Sequence, residues 1–386
     1  MKARSDCAAV FTPGAGPLAV RVESSVGVLF GRAIEAAARR VAAELGAASG
    51  AIAIEDQGAL DHVVAARVEA ALRAAGFRQA RSAARPPVPR EPAAGPAQRR
   101  SRLYLPGNQP DFFANAGLFG ADCLILDLED SVAPTRKEEA RILVRRTLET
   151  HADFFRGAEL VVRINPLSGP WGAADLAELA LVLPQAILLP KCEGPEMVRE
   201  LGSELDRLEA AAGDAHGRTR ILPILESARG VLAAAAIASA SDRLAALCFG
   251  AEDFTADIGV PRTGAGTESL VARQTIVLAA KAAGLQALDS VFADTADEEG
   301  FAAYCAASRA MGFDGVGVIH PRQIAAANRA FSPTSREIEE ARAIVAALAE
   351  AEAAGSGVAS RGGKMIDAPV ALRASRIVDA ADRKGG

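Results

Sequence analysis

The stretch that decides the fold is Asp122–Glu149, "DCLILDLEDSVAPTRKEEARILVRRTLE". An apolar β-type run, Cys123 to Leu128, ends in the acidic residues Asp127, Glu129 and Asp130. Pro134 then breaks the chain, and "TRKE" offers Thr135 as a helix N-cap with Glu138 three residues on. That spacing predicts a capping box, in which the two side chains satisfy backbone N–H groups at the helix start. One strand, one charged rim and one helix are thus readable in a single segment.

The same unit recurs outward from it. Short β-type runs appear as "SRLYLPG", "ELVVRIN", "AILLPK", "RILPILE", "LAALCFG", "LQALDSVF" and "GVGVIHP", with helical stretches such as "PEMVRELGSELDRLEAAAG" between most of them. Strands alternating with helices imply a parallel sheet. Eight strands over about 220 residues match the count and size of a (β/α)8 TIM barrel, with a doubly wound open sheet as the other arrangement. Residues 80–99, "ARSAARPPVPREPAAGPAQR", are rich in proline, alanine and arginine and read as an extended linker. The expected organisation is a small α+β unit over 1–79, the linker over 80–99, the barrel over 100–330 and a C-terminal helical segment over 331–386.

Composition narrows the function. A net charge of -5 argues against nucleic acid as the partner. No apolar run approaches the roughly 20 residues of a membrane helix, and no secretory signal is readable at the N-terminus. The five cysteines (Cys7, Cys123, Cys192, Cys248, Cys305) have no metal-type spacing and read as reduced, mostly buried thiols, in keeping with the cytoplasm.

In a barrel of this type catalytic groups sit where strands end. Those ends carry Asn108; Asp127, Glu129 and Asp130; Arg163 and Asn165; Lys191 and Glu193; Glu226; Glu252 and Asp253; Asp289, with Asp294 beyond it; and His320. Several carboxylates without a histidine cluster favour a hard cation such as Mg2+, which typically takes one or two carboxylates and fills its octahedron with water and substrate oxygens. Glu226 and the Glu252/Asp253 pair come from neighbouring strands and could converge; a solvated acidic rim is the alternative. Arg163 could grip a substrate carboxylate with two donors or pair with the Asp127–Asp130 cluster. His320 could act as a base or only cap its loop. The run "RTGAGTE", Arg262–Glu268, lacks the lysine and glycine spacing of a phosphate loop. It reads as a loop into a helix that Thr267 could cap.

These motifs resemble a known family. Over residues 100–383 "RSRLYLPGN", "LILDLEDSVAPTRKEEAR", "VVRIN", "LPKCE", "LPILES", "GAEDF", "GTESL", "GFDG…IHPRQI" and "GKMIDAPV" occur in the order seen in the citrate lyase β subunit branch of the HpcH/HpaI aldolase and citrate lyase superfamily. The resemblance implies a Mg2+-dependent carbon–carbon lyase acting on a 3-hydroxyacyl thioester, such as citryl thioester giving oxaloacetate and an acetyl thioester. Malyl-CoA or citramalyl-CoA lyase, a thioesterase and a non-catalytic docking subunit are the other readings. It implies Glu226 and Asp253 as metal ligands and Arg163 as the residue that binds the keto-acid carboxylate. Glu129 and Asp130 would lie beside the site, and Asp367 would be supplied to a neighbouring subunit. A homotrimer or a multiple of it, and association with other citrate-lyase-type subunits, are implied as well. One departure is Val316, where relatives usually carry lysine.

Residues 8–76 resemble the citrate lyase γ subunit, the acyl carrier protein, through "SSV…FG" and "DQGALD…AR.EAAL". That family carries its prosthetic group on a serine near the start. Here its place falls near Gly14–Gly16, and no serine stands between Asp6 and Ser24. Thr12 precedes a proline, and Ser24 and Ser25 sit at a helix entry, where capping is the ordinary role. A covalent carrier group is therefore not expected, and CoA itself is the expected thiol.

Overall fold

The computed structural model describes residues 5–78, 98–155, 157–180, 182–213 and 217–382. Nearly all of the expected linker lies outside them. The chain divides into two compact units, one up to Ile324 and one from Ala325.

The first unit begins with a sheet-and-helix layer. Strands β1 (Cys7–Pro17), β2 (Ala19–Ser24) and β3 (Ser49–Asp56) pair in the order β1-β3-β2. β3 runs antiparallel to β1 and parallel to β2. Helices α1 (Gly27–Glu44) and α2 (Asp61–Ala74) complete it. Alternate residues of β3 are buried, and Ile52 and Ile54 pack there with Ile34, Val41, Val68 and Leu72. Period-two burial against helices is what turns this short alternating sequence into a half-buried strand. Thr12–Pro17, which includes the Gly14–Gly16 stretch, is exposed, and the β1–β3 register breaks between Thr12 and Pro17. Ser24 Oγ donates to Asp56 Oδ2 at 2.6 Å and accepts from the Val26 amide at 3.0 Å, so it organises the entry to α1.

Eight parallel strands then close a barrel: β4 (Ser101–Pro106), β5 (Cys123–Asp127), β6 (Glu159–Arg163), β7 (Ala186–Leu189), β8 (Arg220–Leu225), β9 (Ala246–Phe249), β10 (Gln286–Val291) and β11 (Gly315–Val318). Side chains such as Ile125, Val161, Leu188, Leu222, Ile224 and Leu288 fill the interior, which is a packed core and not a pore. The intervening helices are α3 (Lys137–Thr150), α4 (Gly172–Leu179), α5 (Pro195–Ala212), α6 (Ala228–Leu232), α7 (Ala234–Ala238), α8 (Ala251–Asp257), α9 (Leu270–Ala282) and α10 (Glu298–Met311). Val316 is fully buried in β11, in register with Asp289 and Ser101, so it is a barrel-wall residue.

Two expected caps do not form. Pro134 opens a 3-10 turn (Pro134–Arg136), which places Thr135 inside the turn and delays α3 to Lys137, with no side-chain cap. Glu138 pairs instead with Arg73 and Arg141. The Lys137 ammonium ties the helix start back to β5, donating to the Leu128 and Glu129 carbonyls at 2.7 and 2.6 Å. Likewise α9 starts after Ser269, not Thr267, and Ser269 Oγ turns back to the Gly266 carbonyl.

The second unit holds α11 (Ile324–Ala330, which begins at the boundary), α12 (Ser335–Ala353), the hairpin β12 (Ala359–Arg361)/β13 (Lys364–Ile366) and α13 (Ala368–Asp382). Leu348, Ile366 and Ala371 form its small core. Thr334 and Glu337 make a capping box on α12. All five cysteines are free and buried. Among the described residues no helix is long and apolar enough to cross a membrane.

Candidate active site

The C-terminal ends of β5 to β9 bring the carboxylates together. Asp127, the last residue of β5, is buried and takes the Arg163 guanidinium two-pronged, Nε to Oδ1 at 2.6 Å and Nη2 to Oδ2 at 2.7 Å. Burial pushes this carboxyl up, but the guanidinium, the Ser131 hydroxyl and the Glu129 amide outweigh it and hold Asp127 below the usual carboxylate range. Arg163 Nη1 also lies 2.8 Å from Glu129 Oε2 and 3.5 Å from Asp130. The sequence left Arg163 between gripping a substrate and pairing with the β5 cluster, and in this structure the pairing is made. A guanidinium has five N–H donors. Asp127 takes two of them, so the fork is oriented without being exhausted.

Glu129 is buried against two cations. Its oxygens sit 2.8 Å from Arg163 and 3.0 Å from Lys191 Nζ, yet neither makes a hydrogen bond of good directional geometry. Burial and the neighbouring Asp130 push the Glu129 carboxyl above its ordinary range, against the pull of Arg163. Lys191 follows β7 at the same rim. Its backbone is left-handed, with φ of 51°, a conformation costly for a residue with a side chain. The strain places two groups: the Lys191 amide donates to Glu226 Oε1 at 2.7 Å, and its ammonium reaches Glu129. Strained backbone of this kind clusters where geometry is over-determined by function.

Glu226 follows β8 and is buried. Burial, then the charge of Asp253, push its carboxyl up to about 8. Asp253 stands in the first turn of α8, after β9. Gly250 is required between them: a Cβ there would lie 2.5 Å from Glu226 Oε2. Glu252 is turned the other way, to Arg262 at 2.6 Å. Glu226 and Asp253 are therefore two like charges at one spot, one of them driven toward protonation in the absence of a counter-charge. A divalent cation would supply that counter-charge. Two carboxylate donors suit Mg2+, held by one or two carboxylates and otherwise by water and substrate, better than they suit zinc, which favours nitrogen and sulfur.

The other charged residues named from the sequence are held in local contacts. Asp289 is buried under Arg273 and Ser308. Asp294 accepts from the Ala296 and Asp297 amides. His320 Nδ1 accepts from the Arg322 amide and caps a short turn. Thr263 and Glu268 close the "RTGAGTE" loop on itself at 2.7 Å. Asp367, in the second unit, accepts from the Val370 amide at 3.1 Å at the head of α13.

A cavity of about 730 Å³ opens over the carboxylates, lined by Tyr104, Phe112, Phe119, Arg163, Glu226 and Asp253 among others. Its lining falls within residues 103–321. Burial pushes the Tyr104 phenol up to about 12, against Arg102 and Arg163, so it remains a neutral donor. The wall carrying Phe112 and Phe119 was not singled out from sequence; its signal was "PDFFANAGLFG", aromatic residues in a stretch without strand or helix period.

Comparison with known proteins gives the following. Residues 100–321 match the family model described as HpcH/HpaI aldolase/citrate lyase, and residues 2–75 match an acyl-carrier model described as malonate decarboxylase delta subunit. The citrate lyase subunit beta of Leuconostoc mesenteroides subsp. cremoris is 42% identical over 284 residues, 74% of this chain and 93% of that protein. The mitochondrial citramalyl-CoA lyase of Mus musculus is 38% identical over 72% of this chain and 85% of its own. The crystal structure of CitE from Mycobacterium tuberculosis in complex with magnesium, acetoacetate and coenzyme A aligns with a TM-score of 0.61 and 34% identity, covering 75% of this chain and 99% of that one.

Proposed function

Since the chain belongs to the HpcH/HpaI aldolase/citrate lyase family, we propose that its barrel is a Mg2+-dependent carbon–carbon lyase that cleaves a 3-hydroxyacyl-CoA into a keto acid and a shorter acyl-CoA. The observation that carries this reading is the Glu226/Asp253 pair, two adjacent carboxylates of which one is raised to about 8 by burial and the other's charge.

Glu226 and Asp253 would hold the cation, which when bound acts as a Lewis acid toward the substrate hydroxyl and neighbouring carboxylate. Arg163, oriented by Asp127, binds the keto-acid carboxylate with the donors Asp127 leaves open. Glu129, buried and without a directional donor, takes the hydroxyl proton as the C–C bond breaks. The bonding pair passes to the α-carbon of the departing thioester, which becomes an enolate. Asp367 of a neighbouring copy returns a proton to that carbon and completes the acyl-CoA product. The apolar wall around Phe112 and Phe119 keeps water from the enolate. The absence of a serine between Asp6 and Ser24 favours free CoA over a covalently carried thiol, and an assembly of at least two copies follows from the Asp367 role. Citryl-, citramalyl- and malyl-CoA all present the required hydroxyl and carboxylate.

Glu226→Gln and Asp253→Asn test the site directly. Each should cut the Mg2+-dependent rate by about a hundredfold or more, since a Lewis acid contributes several kcal/mol. Retention of full metal-dependent cleavage in both variants would place the site elsewhere.

A further inference from the structure

We propose that the serine-less carrier-like layer acts as an intramolecular clamp on the wall of the cavity, and that Arg67 is the residue through which it acts. Arg67 lies on α2 and is 4% exposed. It joins three parts of the chain. Within its own layer Nε and Nη2 donate to the two oxygens of Asp6 at 3.0 Å each. Toward the barrel Nη1 reaches Glu139, in the first turn of α3, at 3.4 Å. Nη2 also donates to the Asn108 carbonyl at 3.0 Å.

Asn108 is where the wall begins. The chain leaves β4 at Pro106, and Gly107 donates to the Asp127 carbonyl at 2.8 Å. It passes so close that a Cβ at Gly107 would lie 2.6 Å from that oxygen. From Asn108 it runs through two short 3-10 turns, Pro110–Phe112 and Ala116–Phe119. Asp111, Phe112, Asn115 and Phe119 of this segment line the cavity. The head of the wall thus hangs from two points, β5 through Gly107 and the carrier-like layer through Arg67. Three-ten turns have poorer hydrogen-bond geometry than α-helix, so a charge-assisted donor at the head carries more of the ordering than it would in a regular element.

The layer is itself anchored. Arg145 and Arg146 of α3 bond Glu69 of α2, and Arg73 of α2 bonds Glu178 of α4. A swinging carrier arm has no use for such buried pairs, whereas a clamp depends on them. The layer then serves catalysis by holding an active-site wall in place.

The test pairs Arg67→Ala with Arg146→Ala, which weakens the same docking surface without touching Asn108. Amide hydrogen exchange of residues 107–119 should accelerate about tenfold or more in Arg67→Ala, the loss of a charge-assisted bond, and stay near wild type in Arg146→Ala. Arg67→Lys keeps the charge but cannot bond Asp6 with two donors and Asn108 at once, so it should give intermediate exchange and serves if the alanine variant does not fold. KM for the acyl-CoA should rise in Arg67→Ala, and kcat should fall as water reaches the enolate. That kinetic arm rests on the lyase reading; the exchange arm does not, and decides the clamp even if no thioester is cleaved. Wild-type exchange at 107–119 in both Arg67 variants, or equal acceleration in Arg146→Ala, overturns the proposal.

Discussion

Glu226 is the residue whose chemistry is most sharply set by its surroundings. Its carboxyl stands at about 8 in the metal-free fold, against about 4.3 for an exposed glutamate. A carboxyl raised in the folded state stabilises the fold below its unfolded value, and that stability is lost as pH rises toward 8. The metal-free protein should therefore lose thermal stability between roughly pH 4.5 and 8 on this group's account. A cation competes with the same proton, so the upward shift in Tm on adding Mg2+ should be large at pH 8.5 and small at pH 6. An equal shift at both pH values would remove Glu226 as a ligand. Asp367 separates fold from chemistry. Its visible bond is a helix-head contact, worth about 1 kcal/mol when lost, whereas a proton-transfer role is worth about 10²–10⁴-fold in rate. Asp367→Ala should keep its fold and lose that much turnover; near-normal turnover removes it from the mechanism. At this scale the sequence showed which residue types crowd the rim, but not their partners. That Glu252 turns to Arg262 while its neighbour Asp253 faces Glu226, or that Lys191 adopts a strained backbone to reach both Glu226 and Glu129, depends on three-dimensional placement alone.

Between elements, the docking of α2 on α3 rests on buried ion pairs. Arg145 and Glu69 are both fully buried, and Arg145 also bonds Glu178 and Glu149. Replacing one partner of a buried pair leaves the other charge unpaired at a cost of about 3–5 kcal/mol. Arg145→Ala should lower stability by that order. Arg21→Ala, which removes an exposed pair with Glu23, should change it by less than about 1 kcal/mol; denaturant melts of the two variants check both. The strands of the barrel were legible because each is a short apolar run ended by a charged or glycine residue. The starts of α3 and α9 were misread for one reason. Capping patterns assume the helix begins right after the cap, and a preceding turn, opened at Pro134 or closed at Gly266, shifts that start by one residue in α3 and by two in α9. The docking charges were not legible, since nothing in "RILVRRTLE" marks which of its arginines α2 covers.

For the molecule as a whole, a carrier-like layer without a carrier serine and a lyase barrel form one compact unit. Their packing was not legible from sequence, because nearly all of the stretch joining them is a Pro/Ala/Arg-rich run without period. The proposed division of labour is a barrel that cleaves and a layer that steadies it, with CoA thioester as the substrate. The measurement that tests this most directly is keto-acid release by the purified chain from citryl-CoA, citramalyl-CoA and malyl-CoA, with Mg2+ and with EDTA. The account predicts cleavage of at least one of them, abolished by EDTA and restored by added Mg2+. No keto acid from any of the three, or release that EDTA leaves unchanged, would contradict it.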